Sequence, residues 1–291
     1  MILPKERFDY SAIVDRKPVR LPGGARIAVW TIVNVEEWDI SGPMPRTVLT
    51  PPAGAQVIPD VPNWSWHEYG MRVGFWRLKA ALDKQGIAAT MAVNASVCSS
   101  YPRIAGAARD AAWEFMGHGY KQKALHLEQD QRAVIRKSIE TIREFTGKPP
   151  RGWLGPGLVE TWDTLDILAQ EGIEYVSDWV NDEQPYEIQT AAKPLVMVPY
   201  TVELNDIPMM MIQHHAAPEL FNRARDQFDR LYEEGRQSAR IMAIAVHPYI
   251  TGVPHRIKYF EAIYDYMRQK PDVLFCKGED ILDWYRSQKS G

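Results

Sequence analysis

Glu36 and Glu37 stand side by side where an apolar run, Arg26 to Asn34, gives out. A pair of carboxylates offers what hydrolysis needs: one takes a proton from water, the other holds a cation or tunes its neighbour's pKa. Adjacent side chains on extended backbone point to opposite faces, so the two need not share one cleft. The plain alternative is a solvated pair of loop acids. His118 lies between Gly117 and Gly119, which let the backbone turn tightly and carry the imidazole into a site. His126 follows eight residues on, and neutral imidazoles of this kind suit zinc. Against that stands a histidine hydrogen-bonded to backbone, the more ordinary role for His126. His247 ends the run Ala245-Val246 and precedes Pro248-Tyr249. An imidazole held so rigidly and half desolvated suits a general acid working near neutral pH.

Two further stretches are more ambiguous. Arg151 precedes Gly152-Trp153-Leu154 and the turn Gly155-Pro156-Gly157. Its guanidinium there either holds a catalytic carboxylate in its charged form or makes an ordinary surface pair. His214-His215, after Met209 to Met211, reads as another strand end with a structural role, and the methionines read as core.

The elements that must position these groups alternate in type. Short apolar strands are expected at Arg26–Asn34, Ala88–Asn94, Trp113–Gly117, Gly152–Leu154, Glu174–Ser177, Leu195–Val198, Arg240–Val246 and Asp272–Cys276. Helical periodicity marks Met71–Gln85, Leu127–Thr146, Thr161–Glu171, Pro218–Gly235, His255–Lys270 and Gly278–Ser287. This alternation predicts parallel strands joined by helical crossovers, an α/β chain with an irregular TIM-like (β/α) barrel of seven or eight parallel strands. In such barrels the site sits at the carboxyl ends of the strands. Glu36-Glu37, Asn94, His118, Asp178-Trp179 and His247 all fall at strand ends, so they are expected to converge.

Composition narrows the class. At 291 residues one barrel domain accounts for the whole chain, with 1–25 as an N-terminal extension and 39–62, rich in Pro and Gly, as a long loop. The formal charge of −3 and the lack of any run of more than two basic residues argue against a nucleic-acid binder. No stretch approaches the roughly 20 apolar residues of a membrane span, and the first residues lack a signal-peptide core. A cytoplasmic enzyme is expected. Cys98 and Cys276 match no metal or redox motif and read as reduced structural thiols.

From about Arg26 to Asp283 the chain resembles the polysaccharide deacetylase superfamily, and within it the allantoinase-like and cyclic imide hydrolase branch. Asn34-Val35-Glu36-Glu37 stands where the superfamily has Thr-Phe-Asp-Asp, a base followed by a metal aspartate. His67-Glu68-Tyr69-Gly70 with Arg72 and Gly74-Phe75-Trp76 is similar to that branch. His118 matches the first histidine of a His-x-x-x-His metal motif, but Gln122 stands where the second would be. Arg151 to Gly157, Asp178-Trp179 and His247-Pro248-Tyr249 resemble the later motifs.

The resemblance implies hydrolysis of a non-peptide C–N bond, of a small cyclic amide, imide or ureide. Glu36, Glu37 and His247 are the implied catalytic residues, and Glu68, Arg72, Arg151, Asp178 and Trp179 the substrate or support residues. Backbone N–H groups near Gly155 or Gly157 are candidate oxyanion donors. The resemblance implies either no cofactor or one divalent cation, zinc first, on Glu37, His118 and His126. It also implies a small-molecule substrate and a homo-oligomer, dimer or tetramer, with Trp64-Ser65-Trp66 as a loop able to seal the interface. The other readings are an N-deacetylase of an acetylated amino sugar or peptidoglycan, and a barrel that has lost catalysis.

Overall fold

A computed structural model describes residues 3–51, 54 and 57–289. Its centre is β1 (Ile27–Val35), nine residues with every side chain buried. Such a strand survives only with both faces covered, which its β-branched and aromatic content suits. β8 (Arg240–Val246) pairs along one edge, from Ile27 against Arg240 to Val33 against Val246. Two strands share the other edge: β9 (Val273–Cys276) pairs with Ile27 to Trp30, and β2 (Thr90–Val93) with Ile32 to Val35. From β2 the parallel ladder runs through β3 (Glu114–Gly117), β4 (Gly152–Trp153), β5 (Tyr175–Val176) and β7 (Leu195–Met197). β6 (Tyr186–Ile188) adds to β7 in the antiparallel sense, a strand the periodicity does not predict. The sheet curls, and a single parallel bridge, Asn205 to Ala245, links the segment after β7 to β8.

Strand parity divides the core. Ile27, Val29, Val33 and Val35 pack outward with residues of the surrounding helices α2 (Phe75–Lys84), α7 (Glu219–Glu234) and α8 (Ile257–Met267). Ala28, Trp30 and Ile32 face the barrel interior with Ala92, Met116, Leu154, Val198 and Ala245. The same alternation carries Asn34 and then Glu36 to the inner face at the carboxyl end. At the other end a buried polar plug closes the barrel. Glu114 accepts from Thr90 Oγ1 and from Tyr175 OH, each at 2.7 Å, and Trp30 Nε1 donates to Thr90 Oγ1 at 2.7 Å. Burial pushes the Glu114 carboxyl up despite those bonds.

Helix ends follow local chemistry. In α5 (Gln131–Thr146) the Asp130 side chain accepts from Ala133 N at 3.0 Å, and Gly147 ends the helix with φ 83. α1 (Val61–Tyr69), capped by Asp60, runs through a π turn at Gly70–Gly74 into α2. Trp64-Ser65-Trp66 is therefore helix rather than an exposed loop. Trp64 Nε1 donates to the Trp38 carbonyl at 3.2 Å, and the Trp66 ring meets Tyr249 edge-on with centroids 4.9 Å apart. Both indoles pack in part against the core.

Two short helices, α3 (Val97–Ser100) and α4 (Pro102–Asp110), were not anticipated between β2 and β3. α6 (Thr164–Gln170) and α9 (Gly278–Lys289) lie where predicted. The methionine run lies in a second π segment, Ile207–Ile212, so His214-His215 does not follow a strand. His215 instead bonds Arg223 at the surface. Cys98 and Cys276 are free and buried. Among the described residues no helix is long and apolar enough to cross a membrane.

Candidate active site

Glu36 lies at the mouth of the barrel, 4% exposed, where the inner face of β1 meets the first loop residue. Its Oε1 is 3.5 Å from His247 Nε2 and 3.9 Å from His118 Nε2. Its Oε2 accepts from Trp38 Nε1 at 2.8 Å, with the Tyr249 hydroxyl at 3.5 Å. Burial alone would push this carboxyl up, but the bonds and charge offered by His118 and His247 outweigh it and hold the group well below the usual carboxylate range. Glu36 is ionised at neutral pH.

Each imidazole is fixed from behind. His118 Nδ1 donates to the Leu154 carbonyl at 2.6 Å, which leaves Nε2 facing Glu36. His247 Nδ1 meets Asp206 Oδ1 at 2.6 Å, while Asp206 Oδ2 accepts from His247 N at 2.8 Å and Thr251 Oγ1 at 2.6 Å. Burial works against a charged His247, yet the charge of Asp206 and the bonds to Asp206 and Glu36 prevail and raise it to about 9. Asp206 is fully buried, and the sequence reading did not single it out. Asp206 lies nine residues past β7, directly before the apolar run Ile207 to Ile212, with no motif around it.

The wall behind Glu36 is aromatic. Trp38 stacks on His67 with centroids 4.4 Å apart, and Tyr249 lies 5.4 Å from Trp38. Glycines let this wall close up. A Cβ on Gly70 would lie 2.6 Å from Tyr249 N, and one on Gly74 would fall within the Pro248 carbonyl. The stretch from His67 to Gly74 thus works by bringing the helix against the His247-Pro248-Tyr249 turn.

Glu37 points elsewhere, as strand parity allows. Its N–H donates to Asn94 Oδ1 at 2.8 Å, and Lys121 Nζ is 3.8 Å from its Oε1. Glu68 accepts from Tyr101 OH at 2.6 Å, tying α1 to the turn before α4. Arg72 is exposed on the π turn. Arg151 lies before β4, at the opposite end of the barrel, where it pairs with Glu174 at 2.8 Å and Asp283 at 2.7 Å. A guanidinium so engaged does not reach a carboxylate at the mouth.

Asp178 accepts from Gly155 N at 2.7 Å, so that N–H is not free for an oxyanion. Asp178 also sits against Glu160, and burial together with the Glu160 charge pushes it up well above the usual range. Trp179 Nε1 donates to both Glu160 oxygens, at 3.1 and 3.2 Å. Burial pushes Glu160 up to about 7. Glu160 also escaped the sequence reading, because it lies three residues past the glycine turn with no motif around it.

The expected cation set does not assemble. His126 is exposed on the turn Leu125–Leu127. Glu37 faces Lys121, and Gln122, in place of a second motif histidine, has Oε1 accepting from Asn94 Nδ2 at 3.2 Å. Among the described residues no group of three His, Cys, Asp or Glu side chains could hold a metal ion. These residues do not fit a divalent cation.

On the carboxyl side of the strands a cleft of about 710 Å³ opens between the loop after β1 and the segments after β3 and β4. Its size suits a small ligand. A second cavity, about 380 Å³, lies between the N-terminal segment and residues 181–187, away from the two histidines.

Residues 64–176 match the polysaccharide deacetylase family model. A Schizosaccharomyces pombe protein assigned as a polysaccharide deacetylase is 28% identical over 92% of both chains. The fold is shared with a Pseudomonas aeruginosa PAO1 protein assigned to the same class, at TM-score 0.83 and 25% identity, covering 99% of this chain and 98% of that one. It is also shared with the allantoinase PuuE, at TM-score 0.85 and 24% identity, covering 99% and 97%.

Proposed function

We propose that this polysaccharide deacetylase relative hydrolyses the C–N bond of a small cyclic amide, imide or ureide, with Glu36 as base and His247 as acid. One observation carries the reading: an ionised, buried carboxylate faces two imidazoles, one of which is kept protonated by a second buried carboxylate. Superfamily homologues hydrolyse C–N bonds other than peptide bonds, and this constellation has the parts for that reaction.

In the reaction we envisage, water sits between Glu36 Oε1 and His118 Nε2. Glu36 takes one of its protons as the oxygen attacks the amide carbon. The carbonyl electrons move onto oxygen, and the Tyr249 hydroxyl is placed to donate to that oxyanion. As the tetrahedral intermediate collapses, the C–N bond breaks and its electrons go to nitrogen. His247 Nε2 supplies the proton, and the proton held by Glu36 then returns the pair to its starting state. One water and one C–N bond are consumed, and a carboxylic acid and an N–H group (amine, amide or urea) are formed. Asp206 stabilises the imidazolium and fixes its orientation, as a buried acid behind a histidine does in serine hydrolases.

The cleft at the mouth favours a small substrate over a polymer, because the loop after β1 forms one of its walls. Assembly as a dimer or tetramer in the cytoplasm belongs to this reading, and sedimentation of the purified protein tests the assembly. The activity test is a panel of allantoin, succinimide, dihydrouracil and an N-acetylglucosamine oligomer, run on native protein, Glu36→Gln and His247→Asn. Ring opening that falls by about 10²–10⁴ in each variant is expected, with circular dichroism unchanged. Full turnover in Glu36→Gln would overturn the assignment. Preference for the sugar oligomer would move the chain to the deacetylase reading.

A further inference from the structure

The mouth cleft is cationic although the chain as a whole is acidic. Four basic side chains line it, Arg46, Lys121, Lys123 and Lys137, against two carboxylates, Asp39 and Glu128, in a chain of net charge −3. Lys123 is neutralised by Glu128 at 2.8 Å. Lys121 is shared between Asp39 at 3.5 Å and Glu37 at 3.8 Å, both loose contacts. Among the described residues the other two cations have no carboxylate partner: Lys137 lies over the Tyr120 ring at 3.6 Å, and Arg46 sits against the Tyr249 hydroxyl. A concave surface of one sign, walled by protein, concentrates field and raises the local concentration of the opposite charge.

The cleft also neighbours the chemistry. Tyr249, which Arg46 meets, lies 3.5 Å from Glu36 Oε2. Pro156, on the opposite wall, follows the Leu154-Gly155 segment whose carbonyl holds His118. Gln122 N, on the floor, donates to the Glu37 carbonyl at 3.1 Å. An amide at Glu36 whose far end reaches the cleft would meet Arg46 by way of Tyr249. A neutral ligand would leave both cations uncompensated, whereas a carboxylate offers Arg46 a bidentate acceptor.

We infer that the substrate is an anionic amide, one whose scissile C–N bond lies at Glu36 and whose carboxylate lies in the cleft between Arg46 and Lys137. The inference rests on the hydrolase reading for the position of the amide, but the anion site itself does not. Two measurements keep them apart. The first is calorimetric titration with succinate and its uncharged counterpart succinamide, on native protein, Arg46→Gln and Lys137→Gln. Succinate is expected to bind native protein at least about tenfold more tightly than succinamide, and to lose about tenfold or more in Arg46→Gln. Added salt should weaken it further. Equal binding of the two probes, or succinate binding untouched by both substitutions, overturns the anion site.

The second measurement compares hydrolysis of hydantoin-5-acetic acid with that of its primary amide. A lower KM for the acid, raised in Arg46→Gln, is expected. Hydrolysis of both at equal KM would overturn the inference and leave the hydrolase reading intact. Selective succinate binding with no amide hydrolysed would keep the anion site and defeat the hydrolase reading.

Discussion

Asp206→Asn removes a charge while keeping the side chain's shape. In the native protein three donors converge on this carboxylate: His247 Nδ1, His247 N and Thr251 Oγ1. His247 is raised from 6.5 to about 9, a preference for the imidazolium of roughly 3.4 kcal/mol at 1.36 kcal/mol per pKa unit. Burial opposes this rise, and Asp206 precedes Glu36 among the groups that overcome it. Loss of the Asp206 charge should therefore bring His247 down by about 1–2 units, in the range observed for a single close opposite charge. If His247 must be protonated to release the amine, activity falls at high pH as that proton leaves.

The alkaline limb of kcat/KM, near 9 in the native enzyme, should then move to about 7–8. At pH 8.5 the protonated fraction would drop from about three-quarters to under a quarter. Stability moves in the same sense. A histidine with a raised folded pKa contributes fully below its unfolded value near 6.5, and the contribution is lost as pH rises through about 9. Urea unfolding of native protein should show that decline, and Asp206→Asn should be flatter over the same interval. A uniform drop in rate with the limb still near 9 would refute the argument and leave Asp206 a purely structural role.

Trp38→Phe removes the indole donor to Glu36 Oε2, so the Glu36 pKa should rise and the acid limb of the pH profile move upward; an unmoved limb would show that the two imidazoles suffice. Gly74→Ala should displace Pro248 and cost about 1–3 kcal/mol of stability together with on the order of 10² in turnover. Gly106→Ala, in α4 with open space around it, should be neutral or slightly stabilising in the same thermal melts. Glu160→Gln should stabilise the protein above pH 7. The native pair binds a proton that the unfolded chain releases near 4.5, so folding is favoured below that pH and penalised progressively as pH rises toward about 7. Unfolding at pH 5 and pH 8 reads the difference, and equal behaviour of variant and native protein at both would contradict the shared-proton account.

Why some of this was legible in the residues and some was not follows from the range of the forces involved. Strand parity is local: in an extended run that ends at Val35, Glu36 and Glu37 must face apart, though parity does not decide which of them looks inward. A histidine between glycines, or before proline, is also local, and His118 and His247 meet across the barrel because parallel strands bring their carboxyl ends to one rim. Asp206 becomes a partner of His247 only because the segment after β7 bridges β8 at Asn205 and Ala245, and no local pattern encodes that closure. Glu160 needs Asp178, from the following strand, to become more than a loop acid. Arg151 errs in the opposite way. Its spacing from the glycine turn suggested proximity to the mouth, but two residues of strand separate it from that end, and in a parallel barrel this places it on the stabilising face with Glu174 and Asp283. The stretch around Gly70 and Gly74 was noticed for its charged residues, while its work is done by the glycines, four apart on one helical face where the backbone of Pro248 and Tyr249 must pass. Distance along the strand, rather than distance in sequence from a motif, decides which polar groups share the site.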